Sequence, residues 1–270
     1  MLDYYLELSK KESDYLLYEE PMGTVSGVQT QIPVLLSEYQ FQSKEDVDAY
    51  LELMKTTPDY FNSLIAFEQE KAQKGLFMAS YTADTVIEQC QAFIDMGDSN
   101  YLISTFVDRI QKLTDLSESE KSDYIQKNAY MLQTYVLPAY QQLIKTVVEL
   151  KDSGKNEEGL CYLPNGKEYY ELTVQASTGS VRTVPQLQKL TKNQMKDDLA
   201  AMKAVIGLTA EQAKETAVME STDPKEILNS LSLDIQKTFP KLPQTSVEVK
   251  YVPKAMEAHL SPAFYMIPAL

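Results

Sequence analysis

The chain has 270 residues, with 39 acidic and 25 basic side chains, a formal net charge of −14 and a single histidine. Nucleic acid and anionic lipid bind basic faces, so this acidic balance argues against both as partners. No run approaches the roughly 18 consecutive apolar residues that a membrane span needs, and we expect no transmembrane segment. One histidine also excludes any site that requires two imidazoles from this chain.

Helix signals recur from about residue 43 to residue 239 and predict a mainly α-helical fold. Ser43 with Asp46 has the spacing of a capping box, and apolar residues follow it at the helical period. With 18 Tyr and no Trp, we expect Tyr, Leu, Ile and Met to fill the core. The stripe of the next helix comprises Tyr60, Phe61, Leu64 and Ile65. Carboxylates such as Glu68 are expected on solvated helix faces.

The longest periodic run begins at the second capping-box pair, Ser117 with Glu120, and continues to Leu150. It contains Pro138, which lacks a backbone donor and is expected to kink the helix rather than end it. The polar segment 151–158 that follows is the best candidate for a hinge. A boundary at this segment would divide the chain into a helical region, 1–150, and a region of helices followed by a small β element, 159–270. Alternatively, the two form one continuous domain.

The pattern changes after residue 239. Val247, Val249 and Tyr251 alternate with charged residues, which is typical of a strand with one buried face. A second short apolar run, 263–267, predicts another strand. We therefore expect a multi-helix array with a small β portion near the C-terminus, with strands at about 246–252 and 263–267.

Motifs that carry chemistry are absent from the sequence. Cys90 and Cys161 form no CxxC pair and are interpreted as buried free thiols. His259, the single imidazole, is interpreted as a surface or hydrogen-bonded residue rather than a catalyst. There is no phosphate-binding glycine loop and no G-x-S-x-G elbow. A glycosidase pair could assemble from distant carboxylates, but no feature selects one.

Two aromatic pairs are candidates for exposed or cleft-lining positions. Tyr169 and Tyr170 follow a turn signal, and because adjacent rings point to different sides, at most one of them can be core. Phe264 and Tyr265 have the same property on the second predicted strand. Packing alone explains these rings equally well.

The collinear order of several short segments resembles the bacterial domain-of-unknown-function 885 family, whose members look like zinc metallopeptidases of the HExxH type. No single segment is specific, but together they extend over nearly the whole chain. The matching residues are 27–29, 32–36, 46–51, 136–140, 159–164, 166–170, 239–240, 247–249, 252–253 and 261–265.

The resemblance implies a helical protein with a small sheet, followed by a helix that bears HExxH. In that motif two histidines hold zinc and the glutamate activates a zinc-bound water. This chain has no His-Glu pair and cannot carry the motif. We therefore expect zinc and a peptide substrate only in a full-length parent peptidase whose gene continues beyond Leu270. The chain alone is expected to be inactive, with no catalytic residue, metal ligand or cofactor.

Two interpretations of function follow. In the first, the chain is the non-catalytic helical portion of a zinc-dependent peptidase and forms part of its substrate groove. Residues 263–267 would then pair with extended substrate, and the candidate substrate-binding residues are Tyr265, Phe264, Tyr251, Tyr169 and Tyr170. In the second, the chain is a free-standing acidic α-helical module that binds a peptide or ligand without chemistry. The resemblance favours export or association with the cell envelope, for example as a lipoprotein, and leaves the oligomeric state open.

Overall fold

A computed structural model describes residues 2–206, 221–240 and 247–251 of the chain. The described residues fall into two compact units. The first contains residues 2–180, and the second contains the described residues from 181 onward.

The first unit is an array of helices, and the mainly α-helical prediction is confirmed. Two of the helices, α1 and α2, precede the region in which the sequence signalled helix. Short 3-10 helices occupy Leu16–Tyr18, Gly97–Ser99 and Leu160–Tyr162. The α-helices are α1 (Leu2–Ser13), α2 (Val28–Glu38), α3 (Lys44–Lys55), α4 (Thr57–Gln73), α5 (Ser80–Asp95), α6 (Tyr101–Ile110), α7 (Glu118–Met131), α8 (Leu137–Leu150) and α9 (Gly166–Thr178).

Reciprocal capping boxes begin α3 and α7, as the sequence predicts. At α3 the backbone N–H of Ser43 donates to Asp46 Oδ2 at 2.8 Å, and the Asp46 N–H donates to Ser43 Oγ at 3.4 Å. Ser117 and Glu120 make the same exchange at α7. Each pair satisfies backbone donors that the first turn of a helix leaves without a partner.

Residues from α2 through α8 form the core of the first unit, which is rich in buried aromatic rings. Tyr140 is completely buried, and its hydroxyl donates to the backbone oxygen of Gln29 at 2.7 Å. The ring of Phe61 meets Tyr140 edge-on at 4.9 Å between centroids, a favoured geometry for an aromatic pair. Tyrosine therefore contributes to the core together with Leu, Ile and Met, and the hydroxyl of Tyr140 is satisfied by a distant backbone carbonyl.

Pro138 lies in the first turn of α8 and does not end the long helical run. A π-helical segment, Leu132–Val136, joins α7 to α8. There the backbone N–H of Leu137 donates to the oxygen of Leu132, five residues back rather than four. The wider turn is how this helix accommodates the residue without a backbone donor.

The second unit contains α10 (Val184–Ile206) and α11 (Pro224–Thr238). Asp223 caps α11, since its carboxylate accepts from the Lys225 N–H at 2.8 Å. The strand predicted at about 246–252 is wrong over residues 247–251, which form neither helix nor strand. Val247 and Tyr251 are 64% and 77% exposed, so the alternating pattern buries no face, and no described strand offers a hydrogen-bonded partner. The strand predicted at 263–267 lies outside the described residues.

The interpretation of the two cysteines needs one correction. Cys90 is a buried free thiol, and burial raises its pKa to about 12. Cys161 is exposed, because it lies on a one-turn 3-10 helix that has no buried residue.

Segment 151–158 packs against the loop between α4 and α5. The Ser80 N–H donates to Glu157 Oε1 at 2.7 Å. A side chain at Gly154 would lie 2.3 Å from the carbonyl oxygen of Phe77. The segment therefore lies inside the first unit, and its role as a hinge stays a prediction.

Candidate functional site

An open groove of about 360 Å³ lies in the first unit, between α4 and the segment that directly follows the 3-10 helix Leu16–Tyr18. One wall comes from consecutive residues of the chain and the other from one face of a helix. The lining residues are Glu19, Glu20, Pro21, Tyr60, Ser63, Leu64 and Phe67. We refer to this site as the Glu19 groove.

One face of α4 forms the helical wall, because the lining residues have helical spacing in the sequence. Positions 60, 63, 64 and 67 are separated by three or four residues, and such residues share one face of an α-helix. Leu64 is buried at the base of this face, whereas Tyr60 is 50% exposed. Tyr60 was assigned to the core stripe, and the structure corrects that assignment: the helical period places Tyr60 at the edge of the stripe, where it faces solvent.

The opposite wall, residues 19–21, is held at several points. The hydroxyl of Tyr18 donates to the carbonyl oxygen of Pro164 at the start of this wall. At its end the N–H of Val28 donates to the oxygen of Pro21 at 2.9 Å, and the next residue, Met22, is completely buried. The wall is therefore fixed before any ligand arrives.

A buried ion pair on α4 supports the same wall. The ammonium of Lys71 donates to the backbone oxygen of Glu19 at 2.7 Å and lies 3.4 Å from Oε2 of Glu68. Both side chains are almost completely inaccessible to solvent. Glu68 was expected on a solvated face, and this expectation is wrong, because the stripe that carries Leu64 and Ile65 into the core also carries Glu68.

Burial raises the pKa of the Glu68 carboxyl from 4.5 to about 7. The positive charge of Lys71 opposes this rise, and the negative charge of Glu20 adds to it. Glu20 of the groove wall therefore lies within electrostatic range of the buried Glu68 carboxyl.

The rim of the groove carries negative charge that no described residue neutralises. The side chains of Glu19 and Glu20 are exposed. Neither forms an ion pair within the part of the chain that the structure describes. The ammonium of Lys71 is below the surface and already shared between the Glu68 carboxylate and a backbone oxygen. The groove therefore presents two carboxylates beside aromatic and aliphatic side chains.

Among the predicted substrate-binding residues that the structure describes in the first unit, Tyr169 contributes to an aromatic cluster near this wall. Its ring lies 4.8 Å from Tyr18 and 5.5 Å from Tyr15 between centroids. Burial raises the pKa of Tyr169, and the charges of Glu19 and Glu20 add to the rise. The cluster packs α9 against the segment that leads into the groove.

Two of the other four residues are described by the structure, and both are exposed. Tyr170 is 47% exposed on α9, outside the cluster, and Tyr251 is 77% exposed in the second unit. Phe264 and Tyr265 lie outside the described residues.

The residues of this chain do not fit the zinc that the resemblance implies. Within the described ranges, no group of three or more His, Cys, Asp or Glu side chains could hold a metal ion. The sequence has one histidine, His259, which lies outside those ranges, so it cannot supply the two imidazoles of an HExxH site.

Sequence reasoning missed the Glu19 groove. The available signal was the consecutive Glu19-Glu20-Pro21, together with the residues that lie beside the core stripe of α4. The contact between the two walls joins segments about forty residues apart, and no local pattern predicts it.

The fold and the groove define an acidic, α-helical protein with a preformed surface groove and no metal-binding cluster among its described residues. The chain belongs to the family of bacterial proteins of unknown function DUF885, whose model matches residues 1–270. The family that the segments resemble is therefore confirmed.

A solved structure has a similar fold. It is that of "the putative lipoprotein from Colwellia psychrerythraea", with a TM-score of 0.73 and 17% sequence identity. The similarity covers 88% of this chain and 45% of that protein, so this chain spans less than half of its length. No curated protein matches the sequence. Among the described helices, none has the length and apolar character needed to cross a membrane.

Proposed function

We propose that this chain is the non-catalytic, helical portion of a zinc-dependent peptidase and that its Glu19 groove binds part of the peptide substrate. The groove carries the proposal, because hydrogen bonds hold one of its walls and its lining combines apolar with acidic side chains. Family membership supports the same interpretation through the resemblance to HExxH enzymes. The similarity to a protein described as a lipoprotein supports an exported or envelope-associated location.

In this proposal the residues of the chain bind and orient, and they perform no bond cleavage. Apolar contact with Leu64, Phe67 and Pro21 would remove substrate side chains from water. The zinc and its water-activating glutamate would belong to residues outside this chain. Positioning a peptide in this way can contribute to hydrolysis elsewhere, since correct orientation lowers the entropic part of a barrier.

A free-standing acidic α-helical binding module is the second candidate. The same groove favours it, because peptide binding does not require chemistry. The reading frame of the gene distinguishes the two candidates. Codons for an HExxH motif downstream of Leu270 would support the portion of a peptidase. A stop codon directly after Leu270 would support the free-standing module.

The proposal can be tested on the purified 270-residue chain with a library of fluorescence-quenched peptides in the presence of zinc. We expect saturable binding with the peptides recovered intact. Hydrolysis that a chelator abolishes would contradict the non-catalytic assignment, and the absence of binding to any library member would contradict the substrate-binding role.

A further inference from the structure

We propose that the Glu19 groove selects peptides with a lysine or arginine side chain next to an aromatic or aliphatic one. The inference rests on the proposed function in one respect, namely that the ligand is a peptide. It adds the chemical class of that peptide and names the residues that recognise it.

The basic side chain is selected by charge. Glu19 and Glu20 are adjacent, exposed and without an ion-pair partner among the described residues. Because the two carboxylates are adjacent in the chain and both line the groove at an exposed position, their negative charges add at the rim. A cation at the rim would be attracted to both carboxylates, whereas an anionic peptide would be repelled by them.

The neighbouring apolar side chain is selected by the helical wall. Tyr60 is half-exposed, and Phe67 and Leu64 lie one turn further along the same face of α4. An exposed aromatic ring beside a carboxylate can stack with the planar guanidinium of arginine or with an aromatic residue of the ligand. On the opposite wall the ring of Pro21 offers apolar contact. Its nitrogen has no hydrogen to donate, and its carbonyl oxygen already accepts from the Val28 N–H.

The groove has the dimensions and rigidity that such a ligand needs. A volume of about 360 Å³ lies at the lower end of the range for ligand sites and accommodates short portions of a peptide rather than a folded partner. Because Tyr18, Lys71 and Val28 fix the wall through hydrogen bonds, little ordering is needed when the peptide binds.

The test compares peptides of about ten residues with blocked ends, which contain one Lys beside one Phe, by fluorescence anisotropy. In matched peptides the Lys is replaced by norleucine or glutamate, or the Phe by alanine. We expect the Lys–Phe peptide to bind about tenfold more tightly than the norleucine peptide, with an advantage that decreases as salt is added.

Substitutions of the lining residues then test whether the peptide binds in the Glu19 groove. The double variant Glu19→Gln/Glu20→Gln should remove the preference for lysine, and Tyr60→Ala should remove the preference for phenylalanine. Glu149→Gln on α8 and Tyr81→Ala on α5 are matched controls, because both residues are exposed and neither lines the groove. The controls should keep both preferences.

The outcomes separate this inference from the proposed function. Peptides that bind equally well with or without the lysine, or that are unaffected by the groove variants, would overturn the inference while the peptide-binding role stands. No binding of any peptide would overturn both. Self-association of the chain that the Glu19 and Glu20 substitutions abolish would show that a second copy occupies the groove, and it would also overturn the inference.

Discussion

The buried ammonium of Lys71 donates to the backbone oxygen of Glu19 at 2.7 Å, which ties a groove wall to the interior of α4. The same ammonium lies 3.4 Å from a carboxylate oxygen of Glu68. Burial of both partners means that each depends on the other for its charge to be tolerated. The shape of the groove is therefore coupled to a pair of side chains that do not line it.

Replacing Lys71 by methionine should destabilise the protein by about 3–5 kcal/mol, because Glu68 loses its partner in a buried site. Lys74→Met is the matched control, since Lys74 pairs with Glu70 at the surface and its loss should cost less than about 1 kcal/mol. Urea denaturation measures both values. If the two substitutions lowered the free energy of unfolding equally, the assignment of Lys71 and Glu68 as a buried ion pair would be wrong.

The double variant Glu68→Leu/Lys71→Met should recover much of the stability lost in Lys71→Met, because it removes both buried charges together. It should also weaken peptide binding, since the oxygen of Glu19 loses its donor and the wall is no longer fixed. The double variant should therefore be more stable than Lys71→Met in urea denaturation, yet bind peptide more weakly than the original chain in fluorescence anisotropy. A double variant that binds peptide as tightly as the original chain would refute the role of Lys71 in the groove.

Stability should depend on the protonation of Glu68. The carboxyl has a pKa of about 7 in the folded protein and an ordinary value of 4.5 when exposed. Between these values the folded state holds a proton that the unfolded state has released, so stability falls as pH rises from 4.5 to 7 and this contribution is constant outside that interval. The expected loss is on the order of 3 kcal/mol.

Glu68→Gln tests this linkage when denaturation is measured across that pH range. The variant should gain stability relative to the original chain as pH rises, and the difference should stop changing above pH 7. Glu70→Gln, on the exposed side of α4, serves as the control. Parallel curves for Glu68→Gln and the original chain would disprove the raised pKa.

The start of α9 should be intolerant of any side chain at Gly166. A Cβ there would lie 1.7 Å from the backbone oxygen of Leu160, a distance that forces backbone to move. Gly166→Ala is expected to cost at least about 1–3 kcal/mol, whereas Gly23→Ala, where a Cβ has open space, should be neutral or slightly stabilising. Thermal unfolding of the two variants compares them directly, and a stable Gly166→Ala protein would contradict the packing.

Local signals in the sequence predict much of the helical array. The Ser43 and Ser117 capping boxes and the apolar stripes specify where helices begin and which faces are buried, because both depend on residues within a few positions of each other. The periodic apolar pattern on both sides of Pro138 likewise predicts that the helix continues through it. The pattern does not predict the π-helical turn, because several backbone arrangements can accommodate a missing donor.

The candidate site could not be predicted in this way. Glu68 looks like any helical carboxylate in the sequence, and only its contact with Lys71 inside the fold shows that it is buried. The role of Glu19 and Glu20 likewise depends on the distant residues of α4 that face them. The alternation of Val247, Val249 and Tyr251 suggested a strand, yet period two alone supplies neither a partner strand nor a surface to cover.

Hydrogen exchange of the full chain, with and without the Lys–Phe peptide, measures directly whether the peptide occupies the Glu19 groove. We expect the peptide to slow exchange in residues 15–28 and in α4, with little change in α10 and α11, while mass spectrometry recovers the peptide uncleaved. Protection confined to α10 and α11, or cleavage of the peptide, would contradict this expectation.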